Sequence, residues 1–189
     1  MAENTAKRAR TKGKIKAAMI ELCGEKGFYD VTVWDVCDRA GLYRSTFYRY
    51  YDTKDEVLRE IEHEYIEATQ NLTPTLWSIH ADAAPEEMER YRRELTADME
   101  YHRNHKDICK FLLSPAGDMY FYSKMVDSIG QHMKKNFQKY GQKNTKSEEY
   151  LTNFFAAGFV STIEVWLTRE DLSSNEIADF LLNMITTLQ

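Results

Sequence analysis

The sequence predicts an all-α protein. Apolar residues recur every three or four positions along most of the chain, and few runs alternate apolar with polar. Only 8 Gly and 3 Pro stand among 189 residues, too few for a fold of many short strands and turns. Hydroxyl residues followed three positions on by an acid open several apolar segments: Thr32 with Asp35, Thr53 with Glu56, Thr145 with Glu148, Ser173 with Glu176. That spacing lets each side chain satisfy a free backbone N–H at a helix start.

With 43% hydrophobic and 29% charged residues, the chain has the balance of one or two folded domains. No apolar run nears the roughly 20 residues that span a bilayer. The basic start lacks the apolar stretch of a secretory signal. Three widely spaced Cys make no disulfide framework, so the cytoplasm is the expected setting. The net charge of −5 is unevenly divided. Residues 1–60 carry 12 Lys+Arg against 10 Asp+Glu, and residues 61–189 carry 13 against 20. A positive head on an acidic body suits a protein that meets nucleic acid with one end.

The first element is a basic arm, Met1 to about Thr11, expected to be flexible. Lys7, Arg8 and Arg10, with Lys12, Lys14 and Lys16 beyond, suit phosphate or minor-groove contacts. A helix then runs to about Lys26 with Ile15, Met19, Leu22 and Cys23 on one face. Gly27 ends it, and Phe28 with Val31 should plug a small core. Thr32 caps the next helix, whose apolar face is Val33, Val36, Cys37 and Ala40, and Gly41 stands where a left-handed C-cap is wanted. The following helix, Arg44 to Tyr51, has only Phe47 and Tyr51 as bulky apolar anchors. Around them lie Arg44, Ser45, Thr46, Tyr48, Arg49 and Tyr50, and no acid. Hydroxyls and guanidinium groups bond phosphates and base edges. Helix, tight turn with glycine, helix is the helix-turn-helix pattern, whose second helix enters the major groove of DNA.

These residues carry a resemblance. Thr32-Val33, Val36, Ala40-Gly41-Leu42, the run Thr46 to Tyr51, and Thr53-Lys54-Asp55-Glu56-Val57-Leu58 together resemble the DNA-binding domain of TetR-family transcriptional regulators. The likeness covers about the first third of the chain. Tyr43 stands where a serine is common and Ser45 where a glycine is common, so the operator sequence is this chain's own. The resemblance implies an N-terminal three-helix DNA-binding domain, residues 1–53, on a helical regulatory and dimerisation domain, residues 54–189, with about nine helices in all. It implies a homodimer on a pseudo-palindromic operator, most simply a repressor. Arg44, Ser45, Thr46 and Tyr48 would face base edges or nearby phosphates, and Tyr43 a thymine methyl. Thr32, Tyr50 and Lys54 would clamp phosphates.

Thr53 opens a fourth helix with Leu58, Ile61, Tyr65 and Ala68 on its apolar face, the natural mechanical link from head to body. Helices are expected over Pro74 to His80, Pro85 to Asn104, Lys106 to Leu113 and Met119 to Tyr140, with a break at Ser114–Asp118 and a polar loop at 141–147. A helix over 147–169 is apolar on more than one face and has a small-residue patch at Ala156, Ala157, Gly158 and Ser161. After Ser173, Ile177, Phe180, Leu181, Met184, Ile185 and Leu188 form one stripe of a last helix. These two helices invite a four-helix interface between two chains, through Phe154, Gly158, Ser161, Val165, Phe180, Leu181 and Met184. Phe111-Leu112-Leu113-Ser114-Pro115, Gly117-Asp118, Phe121, Gly158-Phe159-Val160 and Trp166-Leu167 resemble the regulators of dihydroxyacetone kinase operons within the TetR family.

The body is rich in aromatics and Met. Tyr65, Trp77, Met99, Phe111, Tyr120, Phe155 and Phe159 are candidates for lining an effector pocket, against the plainer role of core packing. His102, His105 and Cys109 share a face at i, i+3 and i+7, but a helix break and the lack of a fourth ligand favour surface histidines and a buried thiol over a metal site. Cys23 and Cys37 sit on core stripes as small hydrophobes. No phosphate loop, nucleophile elbow or metalloprotease motif occurs, so no enzyme, cofactor, metal or membrane is expected. The alternative to a DNA-binding repressor is a co-activator of the same fold that works through a partner protein.

Overall fold

The computed structural model describes residues 2–76, 83–114, 117–139 and 146–187, with side chains described within 5–76, 83–114, 117–135 and 149–187. Every regular element among them is a helix: α1 Ala2–Lys26, α2 Val33–Ala40, α3 Arg44–Phe47, α4 Lys54–Leu72, α5 Pro85–Asn104, α6 Lys106–Leu113, α7 Phe121–Lys139, α8 Lys146–Arg169 and α9 Ser174–Thr187. The chain forms two compact units, Met1–Tyr65 with Phe111–Met119, and Ile66–Lys110 with Tyr120–Gln189. The boundary anticipated at residue 53/54 thus falls a dozen residues later, inside α4. Val57, Leu58, Ile61 and Tyr65 are buried, which holds the first turns of α4 in the head unit. α6 also runs unbroken across the boundary.

In the head, α1 buries Ile15, Ala18, Met19, Leu22 and Cys23. Phe28 and Val31 fill the corner beyond, as the sequence predicts. The Thr32 hydroxyl accepts the Asp35 N–H at 3.2 Å, and the Asp35 carboxylate accepts the Thr32 N–H at 2.7 Å, a complete capping box. Gly41 takes φ 64°, ψ 43°, and the Gly41 and Leu42 N–H groups bond Asp38 O and Cys37 O. This left-handed cap turns the chain tightly into α3. Salt bridges of Lys12 and Lys16 with Glu60 and Glu64 tie α1 to α4, and Arg39 ties α2 to Glu21 and Glu25 of α1. Half-exposed pairs of this kind contribute little energy and mainly set orientation. Gly117 lies so close to α6 that an added Cβ would stand 2.3 Å from Phe111 O, so only glycine fits there.

Two expectations need correction. The basic arm is helical from Ala2, because a run rich in Ala, Lys, Arg and Glu has no breaker before Gly13. α3 spans Arg44–Phe47, and residues 48–50 continue as turns with the Tyr50 and Tyr51 N–H groups both on Phe47 O. With Phe47 and Tyr51 both drawn into the core, the segment tightens around its two anchors.

In the body, α5 packs along α9 and α7 along α8. Pro85 opens α5, and Glu87 accepts the Ala84 N–H at 3.1 Å. Arg92 forks onto Asp179 of α9 at 2.6 and 3.1 Å. α5 and α6 part at His105, whose ring stacks on Tyr101. The α8–α9 corner turns at Glu170, φ 54°, and Leu172 O accepts from both Trp166 Nε1 and Arg103. Ser173 and Glu176 cap α9 reciprocally. α9 buries Ile177, Ala178, Leu181, Leu182 and Ile185 but leaves Phe180 and Met184 exposed, so its apolar arc is wider than the core needs. The helix expected over 74–80 starts as a turn at Pro74 and otherwise lies outside the described residues, as does the loop 141–145 with its Thr145 cap. No described helix is long and apolar enough to cross a membrane.

Candidate DNA interface

α3 is positioned by what lies on either side of it. The Gly41 cap fixes its approach, and Phe47, fully buried, pins its inner face with Tyr51 tilted against it at 5.9 Å. Everything outward is polar. Tyr43, at the N-cap, is 84% exposed, and Arg44, Ser45 and Tyr48 are exposed too, while Thr46 and Tyr50 are half-buried. The Arg44 guanidinium bonds the Tyr48 hydroxyl at 3.3 Å and lies over its ring, and the hydrogen bond and charge interaction with Tyr48 raise its pKa. The pair presents a preset fork on the outer surface, the geometry that reads a guanine edge or holds a phosphate.

Several of the head's cations are engaged within it. Lys12, Lys16, Lys26 and Arg39 are paired with acids of the head. Lys54 donates to the carbonyls of Phe28, Tyr29 and Val31 at 2.8, 3.0 and 2.8 Å, and sits 4.5 Å from the Phe28 ring. Its three N–H donors thus hold the α1–α2 loop onto the start of α4. The Thr32 hydroxyl is likewise engaged, donating to Asp35 at 2.6 Å. Asp35 is held at a pKa of about 2 by its hydrogen bonds to Thr32 and Lys26. Two of the three residues expected to clamp phosphate, Thr32 and Lys54, therefore serve the head's own geometry in this structure. Arg44, Arg49 and Lys14 make no ion pair among the described residues and are exposed. Trp34, 62% exposed, is a surface aromatic that the sequence reading passed over. Its place off the Val33–Val36–Cys37–Ala40 face was the available signal.

Residues 15–61 match the family described as bacterial regulatory proteins, tetR family, and residues 94–187 match one described as transcriptional regulator C-terminal region, TetR_C_8. The chain belongs to the TetR family of transcriptional regulators. An uncharacterized HTH-type transcriptional regulator, YerO of Bacillus subtilis (strain 168), is 23% identical over 94% of this chain, which spans 64% of that protein's length. Among solved structures, a TetR-family regulator from Syntrophomonas wolfei matches 95% of both chains with a TM-score of 0.70 at 16% identity. One from Streptococcus agalactiae matches 97% of this chain and 98% of its own, TM-score 0.66, 22% identity. The dihydroxyacetone kinase operon activator DhaS matches 94% and 95%, TM-score 0.62, 15% identity. At these identities the structures show a shared TetR-type fold.

In this TetR-family body, most of the residues expected to pair two chains lie outward. Phe154 is 65% exposed, Val165, Phe180 and Met184 are close to half exposed, and Gly158 and Ser161 are on the surface, whereas Leu181 is buried at the floor of the groove between α8 and α9. Phe155 and Phe159 join Phe154, Phe180 and Met184 along one groove of about 130 Å³ between α8 and α9.

Among the described residues, the effector candidates take several different places. Tyr65 and Phe111 are buried in the head unit, Met99 is core, Tyr120 is 63% exposed, and Trp77 lies outside the described residues. Phe159 alone lines the enclosed cavity of the body, about 20 Å³, whose other walls include Thr69, Gln70, Thr73, Asp98, His102, Ser128 and His132. These polar residues lay on helix faces that periodicity could not assign to one space. His102 corrects another expectation: it is fully buried, 3.5 Å from Asp98, not a surface histidine. Burial alone disfavours its charged form, but the Asp98 carboxylate and a hydrogen bond with Cys109 prevail and raise its pKa. No group of three His, Cys, Asp or Glu among the described residues is placed to hold a metal ion.

Proposed function

We propose that this TetR-family regulator is a homodimeric repressor that binds a pseudo-palindromic operator and is released by a small-molecule effector. The observation that carries the DNA reading is the outer face of α3: exposed guanidinium and hydroxyl groups, no acid from Arg44 to Tyr51, and two arginines, Arg44 and Arg49, that make no ion pair among the described residues. Arg44, Ser45, Thr46 and Tyr48 read or flank base edges, with Tyr43 on a thymine methyl. Arg49, Lys14 and Tyr50 meet phosphates. One such helix reads too few base pairs for useful affinity, and two-fold pairing is the usual remedy, with half-sites about 34 Å apart. The exposed apolar strip of α8 and α9 supports the dimer, since a contiguous apolar patch left facing water marks an interface. Phe180→Glu should leave a folded monomer by sedimentation.

The effector reading rests on α4, which leaves the head unit and supplies Thr69 and Gln70 to the body's cavity. A ligand there touches the helix that carries the head, and releases DNA by favouring a conformer whose two α3 helices no longer match the operator spacing. Nothing in this cycle requires catalysis, and it takes place in the cytoplasm.

Footprinting on the DNA upstream of the protein's own and neighbouring genes, at several salt concentrations, tests the reading. A protected palindrome with a steep salt dependence is expected. Weak, sequence-blind binding alone would turn the reading to the partner-dependent co-activator.

A further inference from the structure

The body's cavity is small and, apart from His102, whose raised pKa makes it a donor, its polar walls mostly accept hydrogen bonds. Its volume, about 20 Å³, holds one water-sized group. Asp98 lines it, is almost wholly buried, and has one carboxylate oxygen, Oδ1, without a hydrogen-bond partner. The other oxygen, Oδ2, stands 3.5 Å from His102. The Thr69 hydroxyl already donates to Ile66 O at 2.9 Å and the Thr73 hydroxyl to Thr69 O at 3.1 Å, so both face the cavity with lone pairs. Burial and Lys135 lower the pKa of His132, against the pull of Glu94. Exposed Gln70 and half-buried Ser128, joined at 2.7 Å, stand between the cavity and solvent.

An unpartnered carboxylate oxygen is costly to bury, and the group that answers it best brings donors without an acceptor of its own. A hydroxyl would turn a lone pair toward walls that already present lone pairs. A divalent metal would want a cluster of ligands, and none is formed among the described residues. We propose that the cavity seats the primary amino head group of a small-molecule ligand, with Asp98 as its main acceptor and Thr69 and Thr73 completing its shell. The proposal rests on the effector reading above and names the chemical class of that effector. A ligand larger than the head group enters by parting Gln70 from Ser128, which places its tail at the surface beside α4 and α7.

Calorimetric titration of the full-length protein with ethylamine and with ethanol tests this, since the two probes match in size and differ in the head group. Ethylamine should bind and ethanol should not. Asp98→Asn should weaken ethylamine binding about 10-fold or more, the loss of a hydrogen bond to a charged group. Thr73→Val should weaken it several-fold, and it carries the test if Asp98→Asn unfolds; circular dichroism and cooperative melting report the fold of each. Equal binding of ethanol, ethylamine binding that Asp98→Asn and Thr73→Val leave unchanged, or no ethylamine binding at all overturns the proposal. The operator footprint repeated with each probe keeps the two claims apart. A protected operator released by molecules without an amino group would refute the amino head and leave the effector reading in place.

Discussion

In the head, α3 sends one large residue, Phe47, fully inward and leaves its polar residues outside. In the body, α9 sends five residues inward and still leaves Phe180 and Met184, equally apolar, in the open. The first pattern is complete in one chain: a small core anchors a polar surface. The second is not, because part of an apolar arc stays uncovered among the described residues. The contrast supports the proposal that the head meets a hydrated, charged partner and the body an apolar one. It also says where sequence reasoning holds. Periodicity shows which side of a helix is apolar, and it cannot show what covers that side.

Substitutions can break this contrast, the most severe first. Phe47→Ala should cost about 3–5 kcal/mol, the range for a buried phenylalanine, and should abolish DNA binding, as read by denaturant unfolding and a footprint. The same truncation at exposed Phe180 should leave the stability of the monomer nearly unchanged. Lys54→Met removes an ammonium bonded to three carbonyls, so unfolding should show a loss of about 2 kcal/mol. If Lys54 instead clamps phosphate, its variant will be stable and will show a salt slope lower by about 1. Gly117→Ala forces a Cβ against Phe111 O and should lower stability by about 1–3 kcal/mol, judged by the shift in denaturation midpoint.

A pH effect separates the two units further. The His102 pKa is raised from an ordinary 6.5, so its charged form stabilises the fold fully below about 6.5, and that contribution fades as pH climbs through the raised value. The thermal midpoint should therefore fall as pH rises above neutrality, and His102→Asn should flatten the profile. Asp35 in the head has the opposite sign. Its pKa is lowered from 3.8 to about 2, so its stabilising effect is present above 3.8 and disappears as pH falls toward 2. The smallest effect is chemical. All three thiols are buried, and burial pushes Cys23 up to about 11, so a thiol reagent should react slowly with the native protein and fully with the denatured one. Fast native labelling of Cys23 and Cys37 would contradict their placement in the core.

Much of the head was legible because its signals are local. Thr32 with Asp35, Gly41 and the anchors Phe47 and Tyr51 act within a few residues of one another, and each holds the place expected of it. The bonds of Lys54 to the carbonyls of residues 28–31 could not be foreseen, because those partners lie more than twenty positions back and leave no mark in the side-chain pattern. The arm was read as flexible from its charge, yet its composition favours a helix. In the body, the helices from Pro85 to Leu113 and the cap at Ser173 follow from local spacing. The cavity does not, since Thr73, Asp98 and His132 come from three separate stretches and none looks remarkable alone.

The central claim is that the outer face of α3 reads base edges. Selecting tight binders from random duplex DNA, with the parent and with Arg44→Ala, tests it most directly. The account predicts an enriched inverted repeat for the parent. For Arg44→Ala it predicts a relaxed preference at one base of each half-site, with affinity lower by about 1–3 kcal/mol and unfolding unchanged. No enriched repeat for the parent, or the same repeat with the same affinity for Arg44→Ala, would contradict it.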